Sequence, residues 1–209
     1  MTKVGIVDYG AGNIASVQNA VNYAGGHAEV LTTPEAILKC DRLILPGVGA
    51  AGEALECLRE RHLLEALHER VYRHAMPFLG ICLGMQLLGN RLYEFGQHSG
   101  LGWISGEVIS LKTVTPQSLS VPHMGWNEVV FRDNAKALTC FLSHQRYFYF
   151  SHSFTFTVSD PDVIAATVYY GVELVAAIRW HNVFATQFHP EKSQAAGNGI
   201  LRAFLQWSP

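Results

Sequence analysis

The stretch Phe78-Leu79-Gly80-Ile81-Cys82-Leu83-Gly84-Met85-Gln86 decides how the rest of the chain is read. Phe78 to Ile81 predicts a buried strand. Gly-x-Cys-x-Gly predicts a sharp turn, and a helix beginning near Gly84 is expected to carry Met85, Leu88 and Leu92. Strand, turn and helix with a cysteine at the apex have the form of a nucleophile elbow in which sulfur replaces the hydroxyl. Flanking glycines remove side chains that would clash with a strained backbone at Cys82. The thiol would then stand at the sheet edge and at a helix amino terminus, where unpaired N–H groups and the helix dipole favour thiolate. Alone, the same pattern also describes a buried cysteine between two packing glycines.

Upstream, strand and helix signals alternate. Lys3 to Asp8 predicts a first strand, followed by a helix with Ile14, Val17 and Val21 on one face, ended by Gly25-Gly26. Glu29-Val30-Leu31 and Leu43-Ile44-Leu45 predict two more strands, the latter stopped by Pro46-Gly47. One long helix is expected to carry Leu55, Leu58, Leu64, Leu67 and Val71, with Arg59, Glu60, Arg61, Glu65, Glu69 and Arg70 on its solvated face. Repeated βα units predict a parallel sheet covered on both faces. Downstream, 108–111, 129–131, 147–150, 165–168, 175–178 and 183–186 predict mostly antiparallel strands. A last helix runs from about Ala195 to Trp207. No repeat or linker interrupts the chain, so residues 1–209 are expected to form one α/β domain.

Composition agrees. The 209 residues are 49% hydrophobic and 15% charged, which argues against disorder. Fifteen Lys+Arg against 17 Asp+Glu give a formal charge of -2, so there is no general attraction to nucleic acid or an anionic membrane. No apolar run approaches the roughly 20 residues of a membrane span. The amino terminus has no signal-peptide pattern. Cys40, Cys57, Cys82 and Cys140 are widely spaced without a CxxC pair, as expected of a protein in a reducing cytoplasm. His62, His68 and the other scattered histidines give no metal-ligand pattern.

A nucleophilic thiol needs a base, and Thr186-Gln187-Phe188-His189-Pro190-Glu191-Lys192 supplies a candidate. Residues i and i+2 of an extended segment point to the same side, so Glu191 is placed to orient His189, with Pro190 limiting helix formation between them. An isolated His-x-Glu is also an ordinary surface ion pair worth ~0–1 kcal/mol. Its position after an apolar strand, downstream of Gly-x-Cys-x-Gly, favours the triad. The loop Leu45-Pro46-Gly47-Val48-Gly49-Ala50 ends another strand, and its backbone N–H groups, with that of Leu83, are candidates to stabilise an oxyanion.

Taken together, Pro46-Gly47-Val48-Gly49, Gly80 to Gln86 and Phe188-His189-Pro190-Glu191-Lys192-Ser193 resemble the class I (triad) glutamine amidotransferases. Asp8-Tyr9-Gly10-Ala11-Gly12-Asn13-Ile14 and Pro122-His123-Met124-Gly125-Trp126-Asn127 resemble one branch of that family, the glutaminase subunits of imidazole glycerol phosphate synthase. The resemblance spans nearly the whole chain. It implies a three-layer fold with a mostly parallel central sheet and an antiparallel second-half extension.

It also implies a chemistry. Cys82 attacks the side-chain amide of L-glutamine, His189 is general base and then general acid, and Glu191 orients it. Val48, Gly49 and Leu83 form the oxyanion site, while Gly47, Gln86, His152, Ser153 and Phe154 bind substrate. No cofactor or metal is implied. Ammonia passes to a (β/α)8-barrel cyclase partner that makes imidazole glycerol phosphate and AICAR, with Asn13, Trp126, Tyr149 and Lys192 at the subunit interface. For Trp126 and Tyr149, core packing is the alternative. Ala51, Trp103 and Ser151 depart from the commonest family pattern. They leave the catalytic set intact but leave open an amino-sugar paralogue with another ammonia acceptor. A catalytically silent subunit and a stand-alone cysteine hydrolase are the remaining alternatives.

Overall fold

A computed structural model describes residues 2–142 and 146–209. Its elements run β1 (Lys3–Val7), α1 (Ile14–Tyr23), β2 (His27–Leu31), α2 (Pro34–Ile37), β3 (Arg42–Gly47), α3 (Ala51–Glu60), α4 (Leu63–Leu67), β4 (Phe78–Cys82) and α5 (Leu83–Gln86). They continue with β5 (Arg91–Leu92), β6 (His98–Ser99), β7 (Gly106–Ser110), β8 (His123–Phe131), α6 (Lys136–Thr139) and β9 (Tyr147–His152). The chain closes with β10 (Phe154–Val158), β11 (Ile164–Tyr169), β12 (Glu173–Trp180), β13 (Val183–Thr186) and α7 (Gln194–Gln206).

Among the described residues, nine strands form the central sheet in the order β2-β1-β3-β4-β13-β12-β11-β8-β9. Pairing is parallel from β2 to β13 and antiparallel from β13 to β9. This is the parallel half and antiparallel extension expected. A second sheet, β10-β7-β5-β6, packs beside it.

Strand alternation divides the core between the two faces. Val4, Ile6, Ile44, Leu79, Ile81 and Phe184 meet Val17 and Val21 of α1 and Ile200 and Phe204 of α7. Val7, Leu43, Leu45, Phe78, Val183 and Ala185 meet Leu55, Leu58, Leu63 and Leu67 of α3 and α4, together with Val108 and Phe156 of the small sheet. Buried on both faces, the parallel strands read as continuous apolar runs.

Four expectations are corrected. The long helix is two helices: α3 ends at Glu60, His62 is left-handed with φ 55°, and α4 is followed by a π-helical turn at His68–Arg73. Leu58 and Leu63 are out of phase on a helix with a period of about 3.6 residues, and the break at His62 turns both to the core. Arg70, assigned to the solvated face, instead donates from Nη2 to the Cys40 carbonyl at 3.2 Å. The helix after Cys82 is one turn long. The chain leaves it at Gly89, where a side chain would lie 3.2 Å from the Phe156 ring, and Asn90 Oδ1 accepts from the Gly106 N–H at 2.8 Å. Leu92 is therefore in β5 rather than on a helix. Finally, β3 continues through Pro46 and Gly47, which pair with Ile81 and Cys82. The second-half expectations overlooked β10, whose Phe154-Thr-Phe-Thr-Val pairs with β7.

Candidate active site

Strand β4 is wholly buried and delivers Cys82 at its carboxyl end with φ 53° and ψ -104°. A non-glycine residue in this region is strained and holds only where its surroundings over-determine it. The surroundings here are backbone. A side chain on Gly84 would collide with the Leu45 carbonyl, and one on Gly80 would lie 2.8 Å from the Gly84 carbonyl oxygen. The two glycines thus let the turn press against itself and against β3.

Strand β13 pairs with β4 in parallel, Thr186 opposite Ile81, so the segment after β13 emerges beside Cys82. His189 follows, and its Nδ1 lies 2.8 Å from Glu191 Oε1, with both side chains 3% exposed. The pair is not made by an extended segment. Pro190 begins a 3-10 turn, Pro190–Lys192, that brings Glu191 back under the ring. Proline at a first helical position has no N–H to lose, so it starts this turn rather than preventing it. The Ser193 hydroxyl fixes the turn by donating to the His189 carbonyl and accepting from the Tyr149 N–H at 3.0 Å.

Burial opposes a charge on His189, but hydrogen bonds and charge from Cys82 and Glu191 outweigh it and raise its pKa to about 9. The Cys82 and Glu191 contacts thus favour the protonated ring.

Cys82 and His189 line one cavity of about 280 Å³. Of the other predicted residues, Val48, Gly49, Leu83, Gln86, His152, Ser153, Phe154 and Lys192 also line it. Val48 is 43% exposed at the mouth, and Gly49 has φ 96°, a conformation that glycine adopts without strain. Gly47 does not line the cavity. It is buried in register with Cys82, and the Tyr9 hydroxyl and Leu83 fill the space a side chain would need. Asn13 caps α1, its side chain accepting from the Ser16 N–H at 3.2 Å.

Trp126 is half-exposed and meets Tyr149 edge-on with ring centroids 6.2 Å apart, so core packing does not describe it. Lys192 Nζ sits 5.6 Å over the Tyr149 ring, and the Tyr149 carbonyl accepts from the His189 N–H at 2.9 Å. These three residues thus form one cluster against the back of His189.

Several contributors escaped the sequence reading. Gln187 is fully buried; it donates to Cys82 Sγ at 3.6 Å and accepts from Gln86 Nε2 at 3.0 Å. Its signal was a polar residue inside the apolar run Val183 to Phe188. Glu94 and Pro122 line the cavity, and Glu94 Oε2 accepts from the Ala51 N–H at 2.7 Å. Nothing local to Glu94 announces this. Tyr9 is fully buried, and burial with the nearby Cys82 charge pushes its phenol well above the ordinary value, so it stays neutral.

Comparison with known proteins agrees with this geometry. Residues 5–207 match the family described as "Glutamine amidotransferase class-I". The chain is 43% identical over 214 residues to a protein of Rhodospirillum rubrum named "Imidazole glycerol phosphate synthase subunit HisH", covering 99% of this chain and 100% of that one. It is 44% identical over 199 residues to a protein of Rhodopirellula baltica with the same name, covering 95% of each. Among solved structures, "Structure of PurLQS from Thermotoga maritima" superposes with a TM-score of 0.77 at 16% identity, covering 98% of both chains, a likeness of fold alone. A family match over nearly the whole chain, joined to a strained cysteine and a buried histidine facing one cleft, leads to one conclusion: this chain belongs to the class-I glutamine amidotransferases and is an enzyme of that kind.

Proposed function

We propose that the chain, as one domain over residues 1–209, is the glutaminase subunit of an imidazole glycerol phosphate synthase. In this reading Cys82, His189 and Glu191 hydrolyse L-glutamine to glutamate and ammonia. The observation that carries the reading is His189, paired with the nearly sealed Glu191 carboxylate, lining one cavity with a cysteine held at φ 53°.

With His189 holding the proton, Cys82 sulfur attacks the side-chain carbonyl carbon of glutamine. The carbonyl oxygen becomes an oxyanion facing the backbone N–H groups of Val48, Gly49 and Leu83, where each well-aimed donor is worth ~3–4 kcal/mol. As the tetrahedral centre collapses, the imidazolium proton passes to the departing nitrogen, and ammonia leaves a γ-glutamyl thioester. His189, now neutral, takes a proton from water, the hydroxide attacks the thioester, and glutamate departs as the thiolate is restored. Gln86 and the 152–154 backbone hold the amino-acid end of the substrate.

Ammonia would pass to a (β/α)8-barrel cyclase partner. Met124, Trp126, Glu128 and Val130 alternate along β8, and the three apolar ones are 62%, 48% and 64% exposed; with Tyr147 on β9 they present an apolar face, broken by the Glu128 carboxylate, that suits a protein partner. The names borne by the 43–44% identical relatives favour the histidine-pathway acceptor over an amino-sugar one.

The test is a glutaminase assay of the full chain, alone and with the barrel cyclase and its nucleotide ligand. Strong stimulation by that pair is expected. Stimulation only by a sugar-specific synthase would move the acceptor to the paralogue, and absence of turnover in every combination would end the reading.

A further inference from the structure

His123 and His152 are both buried, 3% and 5% exposed, and His123 has no part in the proposed reaction. They belong to a hydrogen-bonded chain whose proton positions are set by backbone groups at both ends. At the inner end, His152 Nδ1 lies 2.8 Å from the Phe154 carbonyl, which only accepts, so His152 carries its proton on Nδ1. At the outer end, Asn127 Oδ1 accepts from the Glu128 N–H at 2.8 Å and Nδ2 donates to the Tyr169 carbonyl at 3.0 Å, which fixes the amide orientation. That same Nδ2 faces His123 Nε2 at 3.4 Å, so this ring nitrogen accepts. The remaining contact, His123 Nδ1 to His152 Nε2 at 3.0 Å, has one solution: His123 donates and His152 accepts.

Every donor therefore points inward, and a second proton on either ring would set two donors face to face. Burial acts in the same sense, lowering His123 to about 4 and His152 to about 3. His123 is gripped between Phe150 and Tyr170, with ring centroids 4.6 and 4.1 Å away. The Phe154 carbonyl also accepts from Gln86 Nε2 at 3.1 Å, and Gln86 leads through Gln187 to Cys82 Sγ.

We propose that His123 is a positioning residue for glutamine binding: its Nδ1–H holds His152 in the Nδ1–H tautomer, and through the Phe154 carbonyl it sets the 152–154 backbone that lines the cleft. The inference rests on the reading that glutamine occupies the Cys82 cleft. Losing the Nδ1–H donor leaves His152 Nε2 buried without a partner, which frees the ring to turn away from Phe154.

His123→Phe keeps the stacking and removes the donor, whereas His123→Asn places an amide N–H where Nδ1–H stood. In the full chain, His123→Phe is expected to raise KM for glutamine about tenfold with kcat changed less than about twofold, and His123→Asn to recover most of the affinity. Glutamine affinity measured by calorimetry in a Cys82→Ala background should follow the same order. In the unsubstituted chain, ¹⁵N-histidine NMR should show both rings neutral with Nδ1 protonated. Equal behaviour of the Phe and Asn variants, or an Nε2-protonated signature for either ring, would overturn the proposal. An unsubstituted chain that neither binds nor hydrolyses glutamine would instead overturn the reading beneath it.

Discussion

His189 Nδ1 and Glu191 Oε1 stand 2.8 Å apart, joined by a turn that the intervening Pro190 starts, while the carboxylate's second oxygen is buried without a partner among the described residues. The carboxylate thus spends its hydrogen bonding on the imidazole.

Glu191→Gln tests the electrostatic part of that contact. Glu191 raises the His189 pKa, so its removal lowers it. The alkaline limb of kcat/KM, expected near pH 9 where the imidazolium deprotonates, should move towards neutral pH, with kcat down about 10–100-fold. A limb that stays in place would show that Glu191 does not govern the proton on His189.

The second partner of the sulfur is an amide. Gln187→Leu removes the donor to Cys82 and the acceptor for Gln86 from a fully buried site. The expected result is a loss of kcat of about tenfold together with a fall in stability of roughly 1–3 kcal/mol, because Gln86 Nε2 loses a buried acceptor. Alkylation of Cys82 by a glutamine-like electrophile, timed alongside urea unfolding, separates the two effects.

Gly84→Ala places a methyl against the Leu45 carbonyl, and the obstacle is backbone, which cannot rotate away. A loss of stability of about 3 kcal/mol or more, or failure to accumulate as folded protein, is expected in thermal melts. Val48→Ala, at a 43% exposed position, should melt like the parent.

Acid should weaken the fold through the two neutral histidines. Both titrate near 6.5 when unfolded but near 4 and 3 when folded, so between these values the unfolded chain binds more protons and stability falls as pH drops. The expected loss from pH 7 to pH 5 is of the order of 2 kcal/mol for each ring. His123→Phe should remove at least the His123 share of this slope in urea titrations; an unchanged slope would contradict it.

Trp126→Ala should barely alter the melting temperature, since the ring is half-exposed, yet weaken binding of the proposed barrel partner by about tenfold or more. Analytical ultracentrifugation or calorimetry of the pair would measure it.

What could be read without coordinates was what local sterics dictate. Gly80, Cys82 and Gly84 announce their turn because few other residues fit such a backbone, and β13 shows His189 leaving a buried strand. The interruption at His62 was not legible. The apolar residues on either side suit a helix, and only the core decides that Leu58 and Leu63 must face the same way. Gln187 and Glu94 were missed for a related reason, since each takes its meaning from a partner far along the chain: Cys82 for one and Ala51 for the other. His123 stood inside a segment already singled out, but its proton became assignable only once Phe154 and Tyr169 were seen at the two ends of its chain.

The place of β13 in the sheet has a consequence for biosynthesis. It lies between β4 and β12 although it is the last strand to be made. A chain growing on the ribosome carries Cys82 more than a hundred residues before His189 is added, and the cleft that both line needs that final insertion. On the proposed reading, a chain released before β13 and His189 are made is expected to leave glutamine untouched.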